Sequence, residues 1–329
     1  MLAAIKTLGE KVLEGKGISL SEVRVLTDLN RKNDILALVA VACEVRERQR
    51  GDKVDFCSLI NARSGQCQED CAFCAQSIHY NSSAPSYPLL DPSIIIQAAR
   101  EAEQRGADHF CLVTSGKRVS KTEFGMILET LEELKRTTGL RLDCSLGHLP
   151  REYMIELHRV GISRYNHNLE TAESFFPNIC STHTYQERWD TIRSVQEAGL
   201  EACCGGIIGL GETWEQRLEL AFALKELEVD CATINILNPR PGTPLEHTPP
   251  LPPWEIIKTI AIFRLILPNS IIKLAGGRER NLRDLQSLGI LAGANGLIIG
   301  GYLTTPGRDA AEDLQMIKDL GLETYSGRY

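Results

Sequence analysis

The sequence predicts an α/β chain folded as a closed (β/α)8 barrel of the TIM type with an N-terminal helical extension. Two observations predict it. From about residue 54 onward, eight short β-branched or apolar runs alternate with longer stretches of helical period, which is the pattern of repeated βα units. No Pro/Gly/Ser-rich linker interrupts them, and eight units in a row favour a closed parallel barrel over an open sheet.

Residues 1–50 read as the helical extension, with a start signal at Ser19 and Ser21, covering the barrel's bottom or side. Residues 51–329 are expected to form the barrel domain. Strands are expected at 54–60, 109–114, 140–146, 163–169, 200–208, 231–237, 271–274 and 296–300. Amphipathic helices are expected at 93–105, 121–136, 185–198, 213–227 and 253–265, and several of these end at glycine (Gly106, Gly139, Gly199). Glycine suits a helix C-terminus because it adopts positive φ without strain. Residues 281–288 read as an outer helix and the glycine-rich 289–301 as close packing of the last unit.

The 329 residues carry 36 Lys plus Arg against 43 Asp plus Glu, a net charge of −7. That balance disfavours nucleic acid, since a phosphate-tracking protein usually has a basic excess. The N-terminus places Lys6, Glu10, Lys11 and Glu14 where a secretory signal needs an apolar stretch, and no apolar run reaches bilayer length. A cytoplasmic protein without a membrane partner is the expectation. In a reduced compartment, eleven cysteines point to metal or redox chemistry rather than to a disulfide scaffold.

Chemistry tends to sit at the C-terminal ends of barrel strands. There the sequence places Cys67, Cys71 and Cys74 after the first strand, Ser115 after the second, Asn166 to Glu170 after the fourth, Gly205 to Glu212 after the fifth and Asn235 after the sixth. The C-x3-C-x2-C run can hold three corners of an iron-sulfur cubane and leave the fourth iron open, whereas a structural zinc would need a fourth ligand such as His79. The 205–212 stretch lacks the lysine of a phosphate loop and any Gly-x-Gly-x-x-Gly.

The triplet resembles the signature of the radical S-adenosylmethionine superfamily. Within that superfamily the chain is similar to the biotin synthase family: the blocks at 165–171 (YNHNLET), 205–212 (GGIIGLGE), Asn235 with 241–244 (PGTP), 277–279 (GRE) and 292–295 (AGAN) follow its order over nearly the whole chain. The resemblance implies a 4Fe-4S cluster on Cys67, Cys71 and Cys74. Its open iron binds S-adenosyl-L-methionine, and one electron cleaves that sulfonium to methionine and a 5′-deoxyadenosyl radical. The implied reaction inserts sulfur into dethiobiotin to form biotin. No side chain is expected to be catalytic beyond the cofactors.

By the same resemblance Phe73 and Ile207 meet the adenine, Glu170 the ribose hydroxyls and Arg188 the cofactor carboxylate, with Ser115 beside them. Asn168 stands between cofactor and substrate. Asn166 and Asn235 suit the cyclic urea of dethiobiotin, which presents one acceptor and two donors. A flavodoxin- or ferredoxin-type electron donor and a homodimer are also implied. Rival readings are a hydrogenase-cofactor maturation or methylornithine-forming relative, or a protein that merely carries clusters.

The family's usual auxiliary cluster is a 2Fe-2S group on three cysteines and an arginine, and it gives up the sulfur. Cys111 and Cys203 match two of those cysteines. The third position carries Asp143, with Cys144 one residue late, and the arginine position carries Lys273. A one-residue slip turns a strand side chain to the other face unless the strand is bulged, and lysine lacks the planar fork of arginine. Surplus thiols stand at Cys204, Cys180, Cys231 and Cys57; buried free cysteine commonly acts as a small apolar residue, the reading preferred for Cys43, Cys57 and Cys231. The expectation is an auxiliary cluster of four irons with an extra sulfide on Cys111, Cys144, Cys203 and Cys204, without Lys273.

Overall fold

All eight expected strands form in the computed structural model, which describes residues 2–325; Met1 and residues 326–329, at the ends of the two expected divisions, lie outside the described residues. Three helices lead in: α1 (Leu2–Leu13), α2 (Leu20–Thr27) and α3 (Lys32–Arg50). The barrel follows as β1 (Lys53–Arg63), α4 (Pro92–Gln104), β2 (His109–Thr114), α5 (Lys121–Thr137), β3 (Arg141–Ser145), α6 (Arg151–Val160), β4 (Arg164–Asn166), α7 (Tyr185–Glu197) and β5 (Glu201–Ile208). It continues through α8 (Trp214–Glu226), β6 (Cys231–Ile236), α9 (Pro253–Ile266), β7 (Ile271–Leu274), α10 (Arg278–Leu282), α11 (Gln286–Leu291), β8 (Gly296–Ile298), α12 (Ala310–Asp319) and a short β9 (Glu323–Thr324). Strands β1 to β8 pair in sequence order, all parallel, and β8 and β2 both pair with β1, which closes the barrel; β9 adds to β1 from outside.

The helix starts follow from local chemistry. Ser19, Ser120, Thr184 and Thr213 each accept a bond from the backbone N–H three residues on, and the Glu or Gln there returns the bond to the cap backbone. Two otherwise orphaned donors are thereby satisfied at each start. Thr213→Ala is expected to lower stability by about 1 kcal/mol, read as a lower denaturation midpoint; an unchanged midpoint would show that α8 is held by packing alone.

The N-terminal helices cover the barrel's side. α3 packs on α9 and α1 on α3, while α2 lies against α8 and α9. Lys258 of α9 donates to the carbonyls of Thr27 (2.6 Å) and Leu29 (3.2 Å), and Arg50 reaches the bottom at Asn269 O (3.1 Å).

Two expectations are corrected. The outer helix at 281–288 is instead two short helices, because Arg283 takes a positive φ of 51°, a conformation that interrupts a right-handed helix. The segment is also held inward: Asn281 donates to Leu237 O (3.1 Å), and Arg278 pairs with Asp313 and Gln286. The fourth strand stops at Asn166 rather than running on to 169. Beyond it the chain meets β5 only at intervals, His167 N–H to Cys203 O (2.9 Å) and Glu170 N–H to Gly205 O (3.1 Å), with Glu170 itself at φ 70°.

A layer of charge fills the barrel below the site. Asp55 of β1 meets Lys273 of β7 (3.2 Å), Arg164 of β4 (3.2 Å) and His109 of β2 (3.4 Å). His109 also meets Asp143 of β3 at 3.0 Å, and Arg164 reaches Glu201 at 3.2 Å. Burial by itself would raise the Asp55 carboxyl and lower the Lys273 amine, but their mutual attraction wins, holding Asp55 below the carboxylate range and Lys273 above its usual value. Lys273→Met is expected to cost about 3 kcal/mol, the lower end for breaking a buried pair, because Asp55 keeps Arg164. A denaturation midpoint unchanged by this substitution would mean that the pair is neutral to stability.

Candidate active site

Strand β1 ends in a bulge: Val113 pairs with Asn61 but Thr114 with Arg63, leaving Ala62 extra. The bend launches the cysteine loop across the barrel mouth. Cys67 and Ile78 close the loop, with Cys67 N–H bonding Gln76 O (3.2 Å) and Ile78 N–H bonding Cys67 O (2.9 Å). The Gln76 amide oxygen accepts from Ser64, Asn61 and the Gly65 N–H. A second clamp comes from the segment after β4. Ala72 N–H bonds Ile179 O (2.8 Å), and the Asp70 carboxylate accepts from the backbone N–H groups of Ser181 (2.9 Å) and Thr182 (3.2 Å).

The loop therefore holds three thiols without a disulfide. Cys71 is buried, and Cys67 and Cys74 are partly exposed. The Cys71 thiol is pushed up by its bond to Cys180 and by burial, and burial pushes Cys74 up to about 11. A metal bound at such thiols would favour the thiolate, its charge opposing the local preference. His79 is exposed, with Nε2 2.9 Å from Gln68 O. The compact group of metal-binding atoms among the described residues is instead Cys71, Cys180 and His183.

Beside the loop runs a chain of polar contacts. Arg188 donates through Nε to His183 Nε2 (2.8 Å) and through Nη1 to Asn168 O (2.8 Å), and lies 3.4 Å from Glu170 Oε1. With Nε2 an acceptor, His183 Nδ1 carries the proton and donates to Glu69 of the cysteine loop. Asn168 in turn donates to Glu170 at 3.4 Å. Burial raises the Glu170 carboxyl, against the pull of Arg188. Glu69 and His183 escaped the sequence reading, since only the fold brings these two loops together.

A cavity of about 290 Å³ opens below the loop. Phe73, Asn166, Asn168, Ile207 and Asn235 all line it. Glu170 and Arg188 stand behind Asn168. Ser115 does not reach this cavity: its hydroxyl donates to Gly65 O at 2.7 Å, so it braces the root of the cysteine loop. Asn166 donates to Cys111 Sγ (2.9 Å) and keeps a buried Oδ1 without a donor. Asn235 is partly committed to the barrel wall, donating to Gly206 O and accepting from Gly276 N–H.

Of the four thiols expected at the cavity floor, Cys111 and Cys203 are there. Cys57, Cys111 and Cys203 line it with Lys273, and Cys231 packs beside Cys203. Cys144 and Cys204 are not there. Both are buried in the apolar core on the other face of their strands, Cys144 with Tyr165 as its neighbour in register and Cys204 facing Tyr185 of α7. Strand β3 pairs with β2 residue for residue from Arg141 to Ser145, so no bulge turns Cys144 inward, and the inward positions go to Asp143 and Ser145. The signal for Cys231 was in the sequence: it lies four residues before Asn235 and shares its face.

Residues 63–224 match the Radical SAM superfamily and residues 233–323 the Biotin and Thiamin Synthesis associated domain. The chain is 51% identical over 325 residues to the biotin synthase of Carboxydothermus hydrogenoformans, covering 98% of this chain and 100% of that protein. It is 50% identical over 321 residues to that of Clostridium acetobutylicum, covering 97% and 98%. Among solved structures, methylornithine synthase superimposes with a TM-score of 0.84 at 20% identity, covering 96% of this chain and 97% of that one. The hydrogenase maturase HydG of Carboxydothermus hydrogenoformans does so with 0.83 at 16%, covering 97% and 79%. At such identities these two report the fold alone, whereas the full-length sequence matches decide among them: the chain belongs to the biotin synthase family.

Proposed function

We propose that this chain converts dethiobiotin to biotin by radical insertion of sulfur, with a 4Fe-4S cluster on Cys67, Cys71 and Cys74 and a second cluster at the cavity floor. The observation that carries the reading is the stacking of three layers in one barrel: the clamped thiol loop at the mouth, amide side chains below it, and inward thiols at the base. The donor sets fit soft iron centres, being thiols that are free of disulfides and partly or wholly withdrawn from water. When bound, the upper cluster supplies the electron that cleaves S-adenosyl-L-methionine, and the lower one supplies the sulfur.

The chain's own residues bind, orient and shield. Phe73 and Ile207 offer an apolar wall to the adenine, while Asn168, Glu170 and Arg188 offer one acceptor-rich and one cationic contact to the ribose and the amino-acid end. Asn166 presents its free carbonyl to a ureido N–H. Asn166→Ala is therefore expected to weaken dethiobiotin about 10- to 100-fold, the equivalent of one lost buried hydrogen bond, with S-adenosylmethionine binding retained. Equal dethiobiotin affinity in the variant would remove Asn166 from the substrate site.

In this proposal the second cluster lies on the thiols at and beside the floor, Cys57, Cys111, Cys203 and Cys231. Lys273 is committed to Asp55 as a cation and has no lone pair for iron. Thiolates alone suit a four-iron cluster carrying an added sulfide, so anaerobically purified protein should hold about eight irons per chain, four for each cubane. Iron and sulfide counts with Mössbauer spectra test this. About six irons, with a nitrogen ligand on the second centre, would overturn it. A flavodoxin- or ferredoxin-type protein as electron donor and a homodimer complete the proposal.

A further inference from the structure

The central cavity has two cationic side chains, and their situations differ. Lys273 at the floor is paired with Asp55. Arg240, in the turn after β6, lines the upper wall of the same cavity, and no hydrogen bond or ion pair from its guanidinium to any described residue is formed. Its Nε is buried and lacks a partner. The backbone that carries it is fixed, because Thr243 donates to Arg240 O through both its N–H (3.2 Å) and its hydroxyl (2.7 Å).

Nearby carboxylates are engaged elsewhere. Glu279 accepts from Tyr302 and lies 3.5 Å from Arg278 Nε, and Glu246 accepts from Gly242 N–H at 2.7 Å. Besides the amide groups of Asn166 and Asn235 and this guanidinium, the cavity is lined by apolar Ile236, Leu237, Ile298 and Leu303 and by polar Asn238, Tyr302, Thr304 and Thr305. The cavity is thus complementary to a ligand with a polar head, a saturated chain and an anionic end. A guanidinium held half-buried without an acceptor is poised for a carboxylate, where charge-assisted and bidentate bonds are stronger than neutral ones.

We propose that Arg240 is the anion subsite of this enzyme: it binds the terminal carboxylate of the substrate and selects the free acid over esters and amides. The inference rests on the reading above, in which dethiobiotin is the substrate, and assigns the end of that molecule that the asparagines do not. It also places the reaction in sequence. The preceding reaction must release its product as a free acid, and any step that activates or attaches the carboxyl group must come afterwards.

The test compares dethiobiotin with its methyl ester on the cluster-loaded enzyme. With wild type the KM for the acid is expected to be about 10- to 100-fold below that for the ester, the scale of a hydrogen bond to a charged group. In Arg240→Met the acid's KM rises to the ester's, and Arg240→Lys falls between, keeping the charge and losing the fork. Equal KM values for acid and ester in wild type, or a rise in both alike in Arg240→Met, overturn the subsite. Binding titrations of hexanoate against hexanamide separate this from the reaction itself. If wild type makes no biotin yet prefers hexanoate and Arg240→Met does not, the subsite stands and the assigned reaction falls; if hexanoate is not preferred, the subsite falls whatever the turnover.

Discussion

Cys71→Ala protein is expected to cleave S-adenosylmethionine more than about 100-fold more slowly than wild type, beyond the loss that follows from disturbing an outer contact of a metal site. The loop would keep its shape, since its bonds run through the Cys67, Ala72 and Cys74 backbone and the Gln76 and Asp70 side chains, not through the Cys71 thiol. What is lost is one of three anchors for the cluster. The neighbourhood holds a possible substitute, because Cys180 Sγ lies 3.9 Å from Cys71 Sγ. Residual activity in Cys71→Ala that disappears in Cys71→Ala/Cys180→Ala would identify Cys180 as that substitute. Deoxyadenosine formed at the wild-type rate by the double variant would end the assignment of the loop as the cluster site.

Cys203→Ala separates the two centres. Its thiol faces the cavity, 3.2 Å from the Thr233 hydroxyl and against Cys231, so its loss should reduce iron from about eight to about four per chain. Biotin formation should fall more than about 100-fold, while S-adenosylmethionine cleavage persists. Cys204→Ala is the matched control. It removes a thiol one residue along the same strand but on the helix-facing side, and it should leave the iron count unchanged. Loss of iron in Cys204→Ala together with its retention in Cys203→Ala would invert the assigned faces of β5.

Both variants depend on which way a strand residue points, and the alternation of side chains along a strand carries that information in the sequence. Once Ile207 and Asn235 are set inward, alternation sets Cys203 and Cys231 inward and Cys204 outward. The same rule sends Cys144 to the face opposite Asp143. What alternation cannot supply is depth. Cys57, Cys111 and Cys203 reach one floor because the strands of a closed barrel are staggered, with Leu59 and not Cys57 opposite Cys111.

The sequence by itself determined the eight strands, most of the helices between them, the helix starts at Ser19 and Thr213, and the thiol triplet. Each of these is written in short-range signals: residue period, capping chemistry and spacing within one loop. The tertiary structure alone decided that Asp55 neutralises Lys273, since the first and seventh strands meet only through barrel closure. It alone decided that Glu69 joins His183, and that Arg240 faces the central cavity without a partner among the described residues. Ion pairs and pockets depend on distance in space, and local pattern carries no measure of that between segments of different βα units until the chain closes on itself.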